Sequence, residues 1–504
     1  MTEGPVRNVT IVGGGTAGWM TAALLSKLLP SVAITLVESE EIGIIGVGEA
    51  TIPALRTYLT LAGIDELDMV RATQASFKLG IEFVGWRAPD TSYIHGFGKI
   101  GRDMAWLHTH QLWLRMAAGG DPGPLDRYAL NCVAARRNKF CFPDGANPGS
   151  PMADIDYAYH FDASLFAAFL RKQCEERGVK RVEGRIVDVV RDGASGKVAH
   201  VALASGMTVG GELFVDCSGM RALLIGGALG VGYEDWSQWL PCDRAYAVPC
   251  TGVSPLTPYT RSTARPAGWQ WRIPLQHRIG NGYVYSSKFA SDEEAVRTLL
   301  ANLDGTPLAD PRQVRFAPGR RMQAWSANVV AIGLSSGFLE PLESTSIHLI
   351  QTGILRLVAL FPGRGFNPAD IAEYNRQSCF EFEDVRDFII AHYKVTNRAG
   401  EPFWDYVRDM PVPDSLAERL DLFRSSARFF VHGKAELFRE ESWVQVLIGQ
   451  GLAARHDPVA DLVPEEALAE FMADIAEVID EVADTMPDHA AFIAQHCAAP
   501  SIPA

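Results

Sequence analysis

The beginning of the chain predicts a β-strand, a glycine turn, an α-helix and a second strand. Asn8–Val12 is short and rich in β-branched residues, and Gly13-Gly-Gly-Thr-Ala-Gly18 follows it at once. Apolar residues then recur at helical spacing as far as Pro30, and a second apolar run ends at Glu38. In such a βαβ unit the turn and the helix N-terminus present N–H groups to a pyrophosphate, and the acid accepts hydrogen bonds from ribose hydroxyls. The sequence therefore predicts a nucleotide-binding layer.

Composition narrows the classes of partner. The chain has 504 residues, 47% of them hydrophobic, which is enough to bury a large core. A net charge of −14, without a long run of Lys or Arg, is unfavourable for binding nucleic acid or an anionic membrane. No apolar run approaches the roughly 18 residues of a membrane span, and the polar first residues do not resemble a signal peptide. The eight cysteines form no C-x-x-C pair, so we expect reduced thiols, no metal site and a cytoplasmic location.

Three short motifs place reactive or aromatic side chains in apolar surroundings: Trp269-Gln-Trp271-Arg-Ile273-Pro274, Ala-Ser-Phe-Lys78-Leu-Gly and Pro-Leu-Glu343-Ser-Thr. On a strand, two tryptophans at positions i and i+2 point to the same face. Taken alone, the tryptophans are typical of core packing, and Lys78 is typical of a surface lysine whose stem covers apolar neighbours. Glu343 alone is typical of a carboxylate in the first turn of a helix.

Together with the N-terminal glycines, these motifs resemble the flavin-dependent tryptophan halogenase family. The resemblance implies that Lys78 and Glu343 are catalytic. The lysine would either donate a hydrogen bond to hypohalous acid or react to a haloamine. The carboxylate would orient the acid, stabilise the developing cation or take the ring proton. The resemblance also implies a wall that keeps the organic substrate away from the flavin ring, formed by Trp269, Trp271, Ile273 and Pro274.

The resemblance implies FAD as the cofactor. We expect its contacts to come from Gly13, Gly15, Thr16, Ala17, Gly18, Glu38, Ser39, Glu49, Ala50, Val187, Asp216, Gly333, Leu334 and Ile347. Glu49 and Ala50 follow Gly46-Val-Gly48, where two glycines suit either a loop that approaches a ligand closely or a plain surface turn.

The same resemblance implies a halide site at Thr345 and Ser346. Ser344 and Thr345 are expected to cap a helix that begins at Ser346, and the N–H groups of a helix N-terminus favour an anion. The family has glycine where this chain has Ser346, so a side chain stands beside the anion. The sequence therefore leaves the preference between chloride and bromide open.

The substrate end resembles the family only in part. His95-Gly-Phe97 matches the His-x-Phe that lines the family's indole slot, although a lone His and Phe on a loop are more typical of packing. Family members that act on free tryptophan hold its amino-acid part with two tyrosines and a glutamate. Here the corresponding positions are Trp443, Val444 and Gln450, which offer no charged or phenolic anchor. We therefore expect indole, or a larger indole-bearing molecule, to be preferred to free tryptophan, because unpaired charges are costly to bury.

These features predict an α/β fold of the FAD-binding two-module type, with a Rossmann-type βαβ layer, a substrate module and a helical C-terminal subdomain. Leu213–Asp216 and Val329–Ile332 are predicted to be strands that return to the nucleotide sheet. Ile371–Tyr393 has the pattern of one long amphipathic helix. We expect residues 1–365 to form an FAD-binding core interleaved with substrate-module segments, and 366–504 to form the mainly helical subdomain.

The predicted function is an FADH2-dependent halogenase. It would use O2 and chloride or bromide to form hypohalous acid and halogenate an electron-rich aromatic ring, an indole first. No second nucleotide loop is visible for NADH, so a separate NAD(P)H-dependent flavin reductase should supply FADH2. A homodimer is compatible with the sequence. Two alternatives stay open: an FAD-dependent aromatic monooxygenase, and a flavin-binding redox sensor without catalytic activity.

Overall fold

The computed structural model describes residues 4–42, 48–431, 433 and 436–500. The chain forms two compact units, each assembled from three separate stretches. Unit 1 comprises Met1–Ala75, Phe161–Gln238 and Arg315–Glu383, and unit 2 comprises Ser76–His160, Trp239–Val314 and Asp384–Ala504. Segments of the two units thus alternate along the chain, and the last boundary falls inside a long helix. The expected division at 365/366 stays a prediction.

The elements are numbered in chain order. The strands are β1 Asn8–Val12, β2 Ala33–Glu38, β3 Gly48–Ala50, β4 Ser76–Lys78, β5 Gly80–Val84, β6 Ser92–Gly96, β7 Ala158–Asp162, β8 Lys180–Glu183, β9 Ile186–Arg191, β10 Val198–Leu203, β11 Thr208–Gly210, β12 Leu213–Asp216, β13 Tyr233–Asp235, β14 Arg244–Thr251, β15 Thr260–Arg265, β16 Gly268–Pro274, β17 Arg278–Tyr285, β18 Arg312–Arg315, β19 Gly319–Arg321, β20 Trp325–Ser326, β21 Val329–Ala331 and β22 Gly337–Phe338. The α-helices are α1 Thr16–Leu28, α2 Ala54–Ala62, α3 Glu66–Ala72, α4 Thr109–Gly119, α5 Leu130–Arg136, α6 Ala163–Glu176, α7 Asp292–Ala301, α8 Ser346–Ala359, α9 Pro368–Lys394, α10 Pro402–Asp409, α11 Asp414–Ser426, α12 Glu440–Gly449, α13 Glu465–Thr485 and α14 His489–His496.

Unit 1 is built on a six-stranded sheet in the order β20-β21-β12-β1-β2-β8, in which all neighbouring strands pair in parallel except β20 and β21, which are antiparallel. β12 is buried along its whole length and β1 from Val9 onward, as parallel strands covered on both faces require. Helix α1 connects β1 to β2 and packs against α6 and α8. Two smaller sheets, β9-β10-β11 and β13-β19-β22, also belong to unit 1. The predicted nucleotide layer, with both returning strands, is confirmed.

Unit 2 is built on a seven-stranded sheet in the order β18-β14-β17-β16-β15-β5-β6. β16 and β17 are buried along their whole length. Directly opposite residues of an antiparallel pair share a face, so Trp271 shares a face with Gly282 on β17 and with Ser262 on β15. Beside this sheet, β4 pairs with β7 in antiparallel register, with Ser76 opposite His160.

The C-terminal part of the chain is helical, as the sequence predicts. Helix α9 is one long helix, and α13 buries a stripe at helical spacing that includes Leu468, Met472 and Ile479. Among the described residues, no helix combines the length and the hydropathy needed to cross a membrane. All eight cysteines are free thiols.

Candidate active site

The carboxyl edge of the six-stranded sheet gathers much of the predicted cofactor set. Gly13 follows β1, Glu38 ends β2, Asp216 ends β12 and Gly333 lies just beyond β21. The carboxyl ends of neighbouring parallel strands lie side by side, at the edge where such sheets bind ligands. Residues from three stretches of the chain therefore meet in unit 1 at one edge of the sheet.

The glycine turn allows a ligand to approach the backbone closely. Gly13 has a φ of +112°, and a Cβ there would lie 2.2 Å from the carbonyl oxygen of Cys217. A Cβ on Gly18 would lie 1.8 Å from the carbonyl oxygen of Gly13. A Cβ on Gly15, by contrast, would meet no atom within 4 Å, so this position faces open space at the N-terminus of α1. The first-turn N–H groups of α1 need an acceptor there, and the residues present fit a pyrophosphate.

Glu38 is held beside this turn. A Cβ on Gly14 would lie 1.5 Å from Oε2 of Glu38, so the acid passes directly over the glycine. Arg181 on β8 donates from its Nε to Oε1 of Glu38. Ser39 follows and is half-buried. The ion pair orients the carboxylate at the place where a ribose acceptor is expected.

The carboxylate of Asp216 organises the loop that follows β12. Its buried carboxylate accepts hydrogen bonds from the N–H and the hydroxyl of Ser218 at 3.0 and 2.6 Å. It also accepts from the N–H groups of Leu224 and Ile225, both at 2.9 Å. A carboxylate has about four lone-pair sites, so these four donors occupy its side chain and shape the loop that follows β12. The expected cofactor contact of Asp216 stays a prediction.

A 3-10 turn at Gly333–Ser335 lies against the first turn of α1. A Cβ on Gly333, whose φ is +76°, would lie 2.8 Å from the Cβ of Ala17, so only glycine permits this approach. Of the other predicted contacts nearby, Thr16, Ala17 and Leu334 are half-buried and Ile347 is buried in the first turn of α8.

The remaining predicted cofactor residues lie on other strands of unit 1. Glu49 and Ala50 lie on β3, and burial raises the pKa of the Glu49 carboxyl to about 7. Gly46, which belongs to the same motif, lies outside the described residues. Val187 lies on β9 with its side chain exposed, and nothing at this position distinguishes it as a cofactor contact.

Glu343 ends an irregular turn. It is the last residue of the 3-10 turn Pro341–Glu343 and is almost completely buried. Ser344 then adopts the left-handed conformation, with a φ of +60°, which is unfavourable for a residue that carries a Cβ. Glu343 therefore lies before α8 and not in its first turn, which removes the simplest structural explanation for an acid at this position.

The N-terminus of α8 differs from the expected cap. Helix α8 begins at Ser346 as predicted, and Thr345 occupies the N-cap position, but the Thr345 hydroxyl does not cap the helix. This hydroxyl is buried and has no hydrogen-bond partner among the described residues. The expected side-chain cap by Thr345 is therefore wrong. A buried unpaired hydroxyl beside the N–H groups of a helix N-terminus fits a small anion, and Ser346 is half-buried at the same place.

Lys78 lies on β4 and has no exposed surface. Its Nζ lies 5.3 Å from the centre of the Phe97 ring, which gives the ammonium a cation–π contact. A surface lysine with a snorkelling stem is therefore excluded. Lysines are almost never fully buried without a specific reason, and such groups concentrate at functional sites.

A histidine from the last helix holds the strand of Lys78. The N–H of Phe77 donates to Nε2 of His489 at 3.1 Å, while Nδ1 of His489 lies 3.0 Å from the carbonyl oxygen of Leu256. Nε2 must be unprotonated to accept, so the proton resides on Nδ1. Burial lowers the pKa of His489 to about 4, in agreement with a neutral ring. Sequence reasoning missed this residue, because no local motif marks a histidine more than 400 positions from its partner.

The predicted wall is a dense aromatic strand. The ring centres of Trp269 and Trp271 lie 6.1 Å apart, and all four predicted wall residues on β16 are buried. The indole of Trp271 lies over Gly282, where a Cβ would come within 2.0 Å of the ring. The Trp271 indole N–H is buried and lacks a partner among the described residues. The strand therefore has the bulk that a wall needs and a donor available for a ligand.

His95 and Phe97 are held by a glutamine that sequence reasoning missed. His95 lies in β6 rather than on a loop, and Phe97 follows it directly. Gln445 on α12 accepts from the N–H of Gly96 at 2.9 Å and donates to its carbonyl at 3.1 Å. A Cβ on Gly96 would lie 2.6 Å from Sγ of Cys132, so the glycine is required. Gln445 thereby fixes both predicted pocket residues, although a glutamine inside a helix gives no sequence signal.

The residues at the substrate end are buried by packing. The ring centre of Trp443 lies 4.9 Å from that of Phe388 and 5.5 Å from that of Phe429. Val444 is buried beside it, and Gln450 donates to the carbonyl of His392 at 2.6 Å. These three positions are therefore packed inside unit 2, and Nε1 of Trp443 and Oε1 of Gln450 have no hydrogen-bond partner among the described residues.

A charged cluster that sequence reasoning missed lies beside Trp443. The guanidinium of Arg419 lies 5.3 Å from the ring centre of Trp443, and it pairs with Asp384 and Glu436 at 3.6 and 3.1 Å. Burial raises the pKa of Asp384 to about 7. In the described part of the chain, no group of three or more His, Cys, Asp or Glu side chains is placed to hold a metal ion.

Known proteins share both the sequence pattern and the fold. The family described as tryptophan halogenase matches residues 8–465. The chain belongs to the tryptophan halogenase family. A tryptophan 6-halogenase from Streptomyces toxytricini is 37% identical over 523 aligned residues, covering 96% of this chain and 97% of that protein. Solved structures of flavin-dependent halogenases from Xanthomonas campestris and Brevundimonas sp. BAL3 match with TM-scores of 0.95 and 0.93 and identities of 49% and 47%. These matches cover 99% and 97% of this chain, and 100% and 99% of the other chains.

Membership of the tryptophan halogenase family confirms the predicted fold and the predicted enzyme class. The relatives are flavin-dependent halogenases, so this chain is an enzyme that halogenates an aromatic substrate with a flavin and a halide. The alternatives of a monooxygenase and of a sensor without catalytic activity find no support in these matches.

Proposed function

We propose that this halogenase uses O2 with bromide or chloride, and that it prefers indole, or a larger indole-bearing molecule, to free tryptophan. FADH2 would come from a separate NAD(P)H-dependent reductase, because the sequence has one nucleotide loop. When bound, the reduced flavin supplies the oxidation of halide by O2 to hypohalous acid. The residues that would hold the cofactor are Gly13, Gly15, Gly18, Glu38 and Gly333, at the carboxyl edge of the six-stranded sheet.

The burial of Lys78 carries the proposal. Lys78 has no exposed surface although it carries an ammonium, and an ammonium can donate a hydrogen bond to the oxygen of hypohalous acid. That hydrogen bond makes the halogen more electrophilic, and formation of a haloamine is the alternative route. Glu343 is the acid for orienting the reagent or taking the ring proton, and the N-terminus of α8 at Thr345 and Ser346 binds the halide.

The substrate preference rests on the packing around Trp443. Its ring is enclosed by aromatic neighbours, and Gln450 is engaged with a backbone carbonyl. The nearby charge of Arg419 is already paired with two acids. Trp443, Val444 and Gln450 carry no charge to pair with either charge of a zwitterion, and a neutral indole has no such charges to bury. His95 and Phe97 would contact the ring.

A reconstitution assay tests the proposal. The full chain is incubated with FAD, a flavin reductase, NADH and either bromide or chloride, together with a panel of indoles, phenols and free tryptophan, and the products are read by mass spectrometry. We expect halogenated indole that depends on halide. Oxygenated product without halide would favour the monooxygenase, and a clear preference for tryptophan in equimolar competition with indole would contradict the substrate preference.

A further inference from the structure

A chain of buried hydrogen bonds links the strand of Lys78 to the tryptophan strand. Nε2 of His160 lies 2.9 Å from the hydroxyl of Thr260, and its Nδ1 lies 3.1 Å from the hydroxyl of Ser76. The hydroxyl of Ser76 donates to the carbonyl of Pro274 at 2.6 Å. His160 and Ser76 have no exposed surface, and Thr260 is buried. All of these residues belong to unit 2.

The direction of every proton in this chain follows from its last bond. A carbonyl can only accept, so the single hydroxyl proton of Ser76 points at Pro274. Ser76 must then accept from Nδ1 of His160. Burial, and after it the charge of Lys78, hold the pKa of His160 well below its usual value, so the ring is neutral and Nε2 accepts from Thr260. Each hydrogen bond is therefore donated in one direction: from Thr260 to His160, from His160 to Ser76, and from Ser76 to the carbonyl of Pro274.

This series of hydrogen bonds connects two strands that the proposed function assigns to catalysis. Ser76 and Lys78 are two residues apart on β4, so their side chains share a face. Pro274 ends β16, which carries Trp269 and Trp271. Thr260 begins β15, the neighbour of β16 in the sheet. Both ends of the hydrogen-bond chain are therefore anchored to the sheet that contains the wall, and its middle is anchored to the strand of the lysine.

We propose that His160 is a positioning residue which, through Thr260 and Ser76, fixes the strand of Lys78 relative to the tryptophan strand. The proposal rests on the proposed role of Lys78 in holding hypohalous acid. This series of hydrogen bonds is not a path for protons, because it ends at a carbonyl that cannot pass a proton on. Its effect is geometric: a lysine displaced by a fraction of an ångström would hold the reagent less well, so more of it would be lost before it reaches the ring.

The experiment measures coupling, which is the amount of halogenated indole formed per FADH2 oxidised. Thr260→Val removes the first donor while preserving the shape of the side chain, and Ser76→Ala removes the bond to Pro274. Thr260→Ser restores the hydroxyl. Thr263→Val makes the same chemical change on the other face of β15 and serves as the matched control. Melting temperature and flavin oxidation are recorded for each variant.

We expect coupling to fall about tenfold in Thr260→Val and further in Ser76→Ala, with flavin oxidation unchanged. Thr260→Ser should recover coupling, and Thr263→Val should leave it intact. A lower melting temperature with normal coupling in both Thr260→Val and Ser76→Ala would overturn the proposal, as would an equal loss in Thr263→Val. Absence of halogenated product from the unmodified chain would instead overturn the proposed function itself, so the two failures are distinguishable.

Discussion

The two proposed catalytic residues stand in opposite kinds of local structure. Lys78 lies on a strand whose neighbours are anchored on several sides: Ser76 through Pro274, and Phe77 through His489. Glu343 ends a short turn, followed by a serine in the left-handed conformation and a threonine whose buried hydroxyl has no partner among the described residues. The hydroxyl of Ser76 and the N–H of Phe77, beside the lysine, have partners, whereas the hydroxyl of Thr345, near the glutamate, has none among the described residues.

This difference corresponds to two different functional requirements, rigidity around the lysine and available hydrogen-bond donors at the halide site. A lysine that must hold a short-lived reagent needs a rigid surrounding, and buried, fully satisfied hydrogen bonds provide rigidity. A helix N-terminus that must bind and release an ion needs unfilled donors, and backbone strain or unpaired groups at such places are retained for function at some cost in stability. The predictions below test whether the contrast is real.

Lys78→Ala should have the largest effect. General acid–base groups contribute about 10²–10⁴-fold, so halogenated product should fall by that factor. Flavin binding and oxidation should persist, because no residue of the glycine turn changes. The measurement is product formation beside flavin reoxidation under single-turnover conditions, with the exposed Lys99→Ala as control. Near-normal product from Lys78→Ala would show that the anchored strand serves packing alone.

The sequence predicted those elements whose residue patterns lie within one short stretch of the chain. The glycines at 13–18, the acid at Glu38 and the returning strands all follow from spacing along one short stretch, and the structure places them at one sheet edge. The motif around Trp269 likewise predicted a strand with both indoles on one face. These features are readable because the backbone geometry that they need is set by near neighbours.

The residues that sequence reasoning missed act over long separations. Gln445 holds Gly96, which is 349 positions away, and His489 holds Phe77, which is 412 positions away. Neither has a neighbouring motif, so only the fold shows its partner. The hydrogen bonds of Asp216 were missed for a related reason: the four donors to its carboxylate come from the loop after the strand, which no motif marks.

Glu343→Gln should have a smaller effect than Lys78→Ala, of about 10²-fold on turnover, at the lower end of the range for general acid–base groups. The amide keeps the shape and one acceptor of the carboxylate, so orientation survives while the ability to take a proton is lost. Steady-state turnover with indole measures this loss. Glu340→Gln, a buried acid at the other end of the same turn, is the comparison. A loss of turnover as large as that of Lys78→Ala would show that catalysis depends on Glu343 as strongly as on Lys78.

His489→Gln should change how stability depends on pH. The pKa of His489 is about 4 in the folded protein, below its usual value of 6.5. Between these two values the unfolded chain binds a proton that the folded chain does not, so the free energy of unfolding falls as pH decreases. One such group contributes at most about 1.4 kcal/mol per pH unit. Urea unfolding from pH 4.5 to 6.5 should therefore show a shallower slope in His489→Gln. An unchanged slope in His489→Gln would mean that this histidine does not titrate as a buried anchor.

Thr345→Val should have the smallest effect on stability and the sharpest contrast with Thr260→Val. Both changes remove a buried hydroxyl and keep the shape of the side chain. The Thr260 hydroxyl donates to His160, so its loss should cost about 1 kcal/mol of unfolding free energy. The Thr345 hydroxyl is buried without a partner among the described residues, so its replacement should be neutral or stabilising. Urea unfolding in sulfate buffer, which contains no halide, measures both. In the assay, Thr345→Val should raise the KM for bromide, because the hydroxyl is proposed to complete the anion site. Equal destabilisation by the two valines would mean that the turn of Glu343 is as fully satisfied as the strand of Lys78, and the contrast between the two regions would fail.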